Sequence, residues 1–123
     1  MNGTNFLVDT NICLYLLSGN RTIAEILNGN GIFISFITQL ELLSFNKLSQ
    51  NEIHKIQSFI DDCIIIDLNE DIKENVIKLR RKYKIKLPDS IIAATSEYFD
   101  LPIITADKGF NKIEELNILF YQE

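Results

Sequence analysis

The chain lacks any apolar run long enough to cross a bilayer. Its charge-free stretches, such as residues 10–20 and 32–40, fall well short of the roughly 20 apolar residues that a spanning helix needs. A transmembrane helix is excluded, and no membrane partner is expected. Cysteine and histidine are scarce. Cys13 and Cys63 stand among apolar residues, in ICLYLL and CIII, without CxxC spacing; buried reduced thiols are expected rather than a disulfide scaffold. His54 is the only histidine, so a zinc site of two Cys and two His cannot be assembled, and a Ser-His or Cys-His nucleophile has no second candidate base. It lies in the polar NEIHKIQ and reads as part of a solvated helix face. No Lys or Arg occurs before Arg21; the start therefore lacks the basic segment of a secretory signal, and a cytoplasmic location is expected. Positive charge is short overall. Seventeen acidic against twelve basic residues give a net charge of -5, which argues against nucleic-acid binding through bulk charge. Any such role must be local.

What is present suits a single domain over residues 1–123: hydrophobic residues make up 46% and charged residues 24% of the chain, enough for an ordinary core. Short apolar runs at 6–8, 32–34, 64–66, 102–105 and 118–120 read as strands. Helical spacing follows the first run at Ile12, Tyr15 and Leu16, and recurs over 23–27, 38–47, 51–61, 90–99 and 110–116. The clearest amphipathic helix carries the stripe Ile72, Val76, Leu79 and Tyr83. Strands alternate with helices from end to end, which predicts an α/β fold with a parallel central sheet flanked by helices on both faces. There is no internal repeat, low-complexity tract or linker.

In such a fold ligands bind outside the carboxyl ends of the strands, so polar residues that directly follow apolar strands are the first candidates. Asp9 follows the first strand and Asp107 comes two residues after Thr105. Either alone has an ordinary reading as a helix cap. Asp89, in Pro-Asp at a helix start, has the same reading. Glu41 differs: the spacing of Ile37, Thr38 and Phe45 places it on a largely apolar helix face, and Lys and Arg are absent from residues 31–46. A buried carboxylate is costly unless it is paired or bound to metal. Together these four acids repel one another when gathered in a cleft. Hard divalent cations such as Mg²⁺ or Mn²⁺ relieve that repulsion with oxygen ligands, activate water and neutralise a phosphate, which makes phosphodiester hydrolysis the natural chemistry.

The segments LVDTN at Asp9, TQLELL at Glu41, LPDSIIAA at Asp89 and TADKGF at Asp107 resemble, in order, the four signatures of PIN-domain ribonucleases, and more narrowly the small VapC-type toxins of bacterial toxin-antitoxin pairs. The resemblance spans almost the whole chain. It implies Mg²⁺-dependent endonucleolytic cleavage of RNA, with Asp9, Asp89 and Asp107 matching the metal-binding aspartates and Glu41 the acid that helps to hold metal or its water. Asn11, Thr38 and Thr105 match polar neighbours of the pocket. A cognate antitoxin and a homodimer are implied as well.

Residues 78–86 hold six of the twelve basic residues and no acid, directly before Asp89. They read either as a solvated helix end complementing the helix dipole or as a contact for RNA phosphates through Arg80, Arg81 and Lys84. Apolar segments at 12–17 and 53–60 are candidate surfaces for a second copy or for the antitoxin. Two other functions fit less well. A receiver-type signalling module would use Asp67, Thr105 and Lys108, but it requires an acidic pair after the first strand, where Asp9 is followed by Thr10 and Asn11. A catalytically idle binding module would keep the fold and the partner surface alone.

Overall fold

Short apolar runs, the first four leading into helices or a 3₁₀ turn, build a five-stranded and wholly parallel sheet in the computed structural model, which describes residues 3–122. The chain runs β1 (Asn5–Val8), α1 (Thr10–Leu17), α2 (Arg21–Leu27), β2 (Gly31–Ser35), α3 (Phe36–Leu43), α4 (Gln50–Asp61), β3 (Ile64–Ile66), α5 (Glu70–Lys82), α6 (Leu87–Phe99), β4 (Ile103–Thr105), a 3₁₀ turn (Lys108–Lys112) and β5 (Ile118–Phe120). Spatial order in the sheet is β3-β2-β1-β4-β5. The register pairs Leu7 with Phe33 on one side and with Ile103 on the other.

Because successive side chains of a strand point to opposite faces, each central strand feeds two cores. Leu7 and Ile103 join Ile72, Val76 and Leu79 of α5, Ile92 of α6, and Phe110 on one face. Val8, Ile34 and Ile104 join Ile12 of α1, Ile23 of α2, Leu42 of α3 and Ile56 of α4 on the other. A strand buried on both sides has no polar face to offer, which is why its sequence is continuously apolar.

The sequence reading needs correction at several places. Helix α3 starts at Phe36 rather than 38, because the Ser35 hydroxyl accepts the Ile37 N–H, and it ends at Leu43 with Ser44 as its cap. Phe45 therefore lies beyond the helix. Helix α6 begins at Leu87, with Pro88 and Asp89 inside its first turn, so Asp89 is not the cap. The expected helix over 110–116 is only the 3₁₀ turn, which pins Phe110 and leaves a loop before β5. Tyr83 has left α5: it takes an extended conformation at the helix end, although its ring still packs against the core. Cys63 is half-buried rather than buried, its thiol donating to the Phe59 carbonyl at 3.2 Å. His54 is on an exposed helix face, as expected. No helix among the described residues is long and apolar enough to cross a membrane.

Candidate active site

From β1 the chain moves outward through β2 to β3, then returns on the opposite side of β1 to form β4. The order reverses between β1 and β4, and at such a switch point the loops leaving the two strands diverge and open a crevice. Asp9 sits there. Its N–H donates to the Ile104 carbonyl at 3.0 Å, so the residue is tied to β4 while its side chain caps α1. One carboxylate oxygen, Oδ1, accepts the Thr10 N–H at 2.8 Å; the other, Oδ2, accepts the Thr105 hydroxyl at 2.7 Å. Thr105 Oγ1 in turn accepts the Asp107 N–H at 3.0 Å. A buried threonine thus links the acids that follow the two strands.

Asp107 caps the 3₁₀ turn by accepting the Gly109 N–H at 2.8 Å. Both capping readings of the sequence hold, and both caps also face the crevice: Asp9, Glu41, Asp89 and Asp107 line one pocket of about 530 Å³, together with Asn11 and Lys86. Glu41 reaches it from the second turn of α3. Contrary to the sequence reading, it is exposed. The apolar face assigned to it stops short, since Phe45 is outside the helix, and Glu41 is held by a hydroxyl instead of being caged. Thr10 Oγ1 lies 2.6 Å from Glu41 Oε1 and 3.0 Å from Thr38 Oγ1. With a single proton, the Thr10 hydroxyl donates to the carboxylate, and the buried Thr38 supplies the second hydrogen bond.

Electrostatics reflect this crowding. Burial pushes the Asp9 carboxyl up from 3.8 to about 6, and the charges of Asp89 and Asp107 add to the effect, against the lowering influence of its two donors. Asp89 is raised as well, by burial first and then by Asp107, while Lys86 and Lys112 pull it down. The thiols are raised by the same physics: burial takes the Cys13 thiol well above the usual range and pushes the half-buried Cys63 up to about 12.

The arrangement suits a hard cation in one respect and not in another. Its donors are all oxygens, and mutual repulsion among them favours a positive charge. Among the described residues, however, no three acids stand close enough to cage an ion.

Of the basic residues singled out in the sequence, Lys84 borders a smaller adjoining opening, whereas Arg80 and Arg81 line neither one. Sequence reasoning missed Thr10 and Lys86. The first directly follows Asp9 and carries no separate signal in the sequence; the second is the last of the basic run, three residues before Asp89, and that proximity is its signal. Asp67 follows the edge strand β3 and does not line the pocket of Asp9, which removes the geometry a receiver requires.

A family model described as PIN domain matches residues 6–116. Among solved structures, a toxin-antitoxin complex from Klebsiella pneumoniae contains a chain 32% identical to this one, with 96% of this chain and 99% of that chain covered and a TM-score of 0.81. VapBC2 from Rickettsia felis, bound to a DNA fragment from its promoter, matches at 23% identity over 97% and 100% of the two chains, with a TM-score of 0.87. VapBC-1 from nontypeable Haemophilus influenzae matches at 24% identity over 95% and 98%, with a TM-score of 0.80. No curated protein sequence gives a significant match.

Proposed function

From the premise that this chain belongs to the PIN-domain family, we propose that it is a metal-dependent endoribonuclease and the toxin of a toxin-antitoxin pair. One observation carries the reading: four carboxylates from four separated parts of the chain line a single pocket at the switch point of a parallel sheet. Asp9, Asp89 and Asp107 are the residues that would hold Mg²⁺ or Mn²⁺, and Glu41 would orient the attacking water. A bound divalent cation supplies acidity for that water and countercharge for the phosphate.

The chain's own contribution is positioning. Thr105 fixes Asp9 and the Asp107 backbone in one hydrogen-bonded line, so the two loops keep their spacing. Thr10 and Thr38 hold Glu41 at the rim, where its exposed carboxylate can accept a proton from water. Asn11, at the pocket wall, offers an amide to substrate.

Restraint of such an enzyme by an antitoxin is supported by the surface beside the pocket. An apolar groove of about 490 Å³, lined by Leu14, Leu17, Phe45, Leu48 and Ile56, shares Leu14 and Phe45 with the acidic pocket. A partner segment seated there could reach the carboxylates with a basic side chain and displace metal. The Klebsiella relative is itself part of a toxin-antitoxin complex. A homodimer, with apolar residues such as Leu40 and Ile53 at the surface, belongs to the same proposal.

The decisive experiment incubates the purified protein with RNA, with and without Mg²⁺ or Mn²⁺, and maps the ends. Metal-dependent cuts bearing 5′ phosphate and 3′ hydroxyl are expected. Products with 2′,3′-cyclic phosphate would overturn the mechanism, and no cleavage under any metal would leave the idle binding module as the better reading.

A further inference from the structure

A nuclease pocket lined by four carboxylates, in a chain of net charge -5, repels the polyanion it is meant to cut. Something beside the pocket has to attract phosphate. Arg80, Arg81 and Lys82 of the basic run sit in the last turn of α5, where they complement the helix dipole, and the lysines beyond that helix are the ones next to the carboxylates. We propose that Lys84, Lys86 and Lys112 form a phosphate subsite that takes the linkage neighbouring the one to be cleaved; the identity of the ligand as RNA rests on the nuclease reading above.

Three observations lead there. The first is continuity. An opening of about 160 Å³ is bordered by Lys84, Lys86, Gly109 and Lys112, and by Asp89 and Asp107, which also line the acidic pocket. Lys86 borders both, so one strand of nucleic acid can pass from the carboxylates to the lysines without leaving the surface.

The second is that these charges are not tied up in an ion pair, although Lys86 and Lys112 are near enough to act on Asp89. Among the described residues the ion pairs are Lys73 with Glu70 and Lys82 with Glu115. None uses Lys84, Lys86 or Lys112. The Lys112 ammonium donates to the Lys84 backbone carbonyl, a neutral acceptor that orients it and leaves its charge intact. The other donors of a lysine remain for an anion.

The third is that the segment carrying two of the lysines is fastened. Residues 83–86 connect α5 to α6, and each side of this strap is tied down. The Tyr83 hydroxyl donates to Glu115 Oε1 at 2.7 Å and accepts the Glu114 N–H at 3.3 Å. Arg80 Nε donates to the Ile85 carbonyl at 3.4 Å. Lys112 holds the Lys84 carbonyl. Fixing the backbone beforehand lowers the ordering cost of binding. Arg80, which the sequence marked as a phosphate contact, is here a positioning residue, and Arg81 has no part.

The test uses full-length protein and a short single-stranded RNA. In the Asp9→Asn background, which keeps the RNA intact, Lys86→Ala combined with Lys112→Ala should weaken binding several-fold, and the slope of log affinity against log salt should flatten by about 0.7 for each phosphate that is no longer neutralised. Arg81→Ala should leave the slope unchanged, and Lys86→Arg should restore affinity. In the otherwise wild-type enzyme the same lysine changes should raise KM and leave kcat nearly constant. Replacing single linkages of the RNA by neutral methylphosphonate should identify one position whose neutralisation costs the parent protein affinity but costs the double variant nothing. Unchanged affinity and salt slope, or additive losses at every linkage, would overturn the subsite even if cleavage is observed. Lysine-dependent RNA binding without any cleavage by the wild type would instead keep the subsite and overturn the nuclease. All three side chains are exposed, so melting temperatures should stay with the parent and exclude misfolding as the cause.

Discussion

Asp9 accepts two hydrogen bonds, yet burial outweighs both donors and pushes its carboxyl up to about 6. A carboxyl raised in this way makes its contribution in the opposite sense from a salt-bridged one. Below the unfolded value of 3.8 both states hold the proton; between 3.8 and about 6 the folded state binds more protons than the unfolded one, so stability falls as pH rises, and above about 6 it levels off. The span corresponds to on the order of 3 kcal/mol. Metal-free Asp9→Asn should therefore lose much of the decline in melting temperature between pH 4 and 6 expected for the wild type, and at pH 7.5 should melt at or above it. Thermal melts in chelator check this; a pH profile parallel to the wild type would refute it. Thr105 gives a second residue-scale outcome. Thr105→Val removes the donor to Asp9 and the acceptor of the Asp107 N–H, and should cost about 1–3 kcal/mol in a denaturant midpoint. It should also raise the Asp9 pKa further, as followed by carboxyl NMR titration, because the Thr105 hydrogen bond is the larger of the two lowering influences.

Among the elements, α6 bears most on the site. Seven consecutive residues from Ser90 to Ser96 are buried, since the helix packs against α5, α3 and the strand β2, and its first turn carries Asp89. Ala93 and Ala94 are fully buried; there is no room for a longer side chain. Ala94→Leu should destabilise by about 1–3 kcal/mol and depress cleavage by shifting Asp89. The helix α4 offers the contrasting case. Its capping box joins Ser49 and Glu52 on the surface, with Ser49 N–H donating to Glu52 Oε1 at 2.9 Å and Glu52 N–H to Ser49 Oγ at 3.1 Å. Ser49→Ala should cost about 0.5–2 kcal/mol with cleavage unchanged below the melting range. Equal losses of activity in the two variants, at equal loss of stability, would remove the special role of α6.

At the scale of the molecule, the pocket collects negative charge, which the proposed divalent cation would relieve. Saturating Mg²⁺ or Mn²⁺ should raise the stability of the wild type, by about 2.7 kcal/mol at a hundredfold excess over Kd, and should raise that of Asp9→Asn much less. Calorimetry with and without chelator reads this directly, and an equal rise in both would place the metal elsewhere. In cells, expression of the wild type without a restraining partner should arrest growth and Asp9→Asn should lift the arrest. Normal growth at a verified level of soluble wild type would count against the toxin and leave in vitro cleavage to decide the nuclease.

Local physics in the sequence determined the elements and the candidate acids. Ile64–Ile66 reads as a strand because three β-branched residues in a row suit little else, and Asp9 and Asp107 stand where a parallel sheet opens its crevice. Boundaries set by single hydrogen bonds were less legible. The Ser35 cap of α3, the short 3₁₀ turn and the extended Tyr83 all depend on which partner lies nearby, and periodicity carries no such information. Glu41 illustrates the limit: helical spacing assigned it an apolar face, but the helix stops before Phe45, and its surroundings are decided by Thr10 from another part of the chain. The same holds for the lysines. Lys84 and Lys86 are close in sequence to Arg80 and Arg81, yet only the fold turns the first two toward the carboxylates and brings Lys112 beside them, because charge along a chain is one-dimensional and the field at a site is made by groups that tertiary packing gathers.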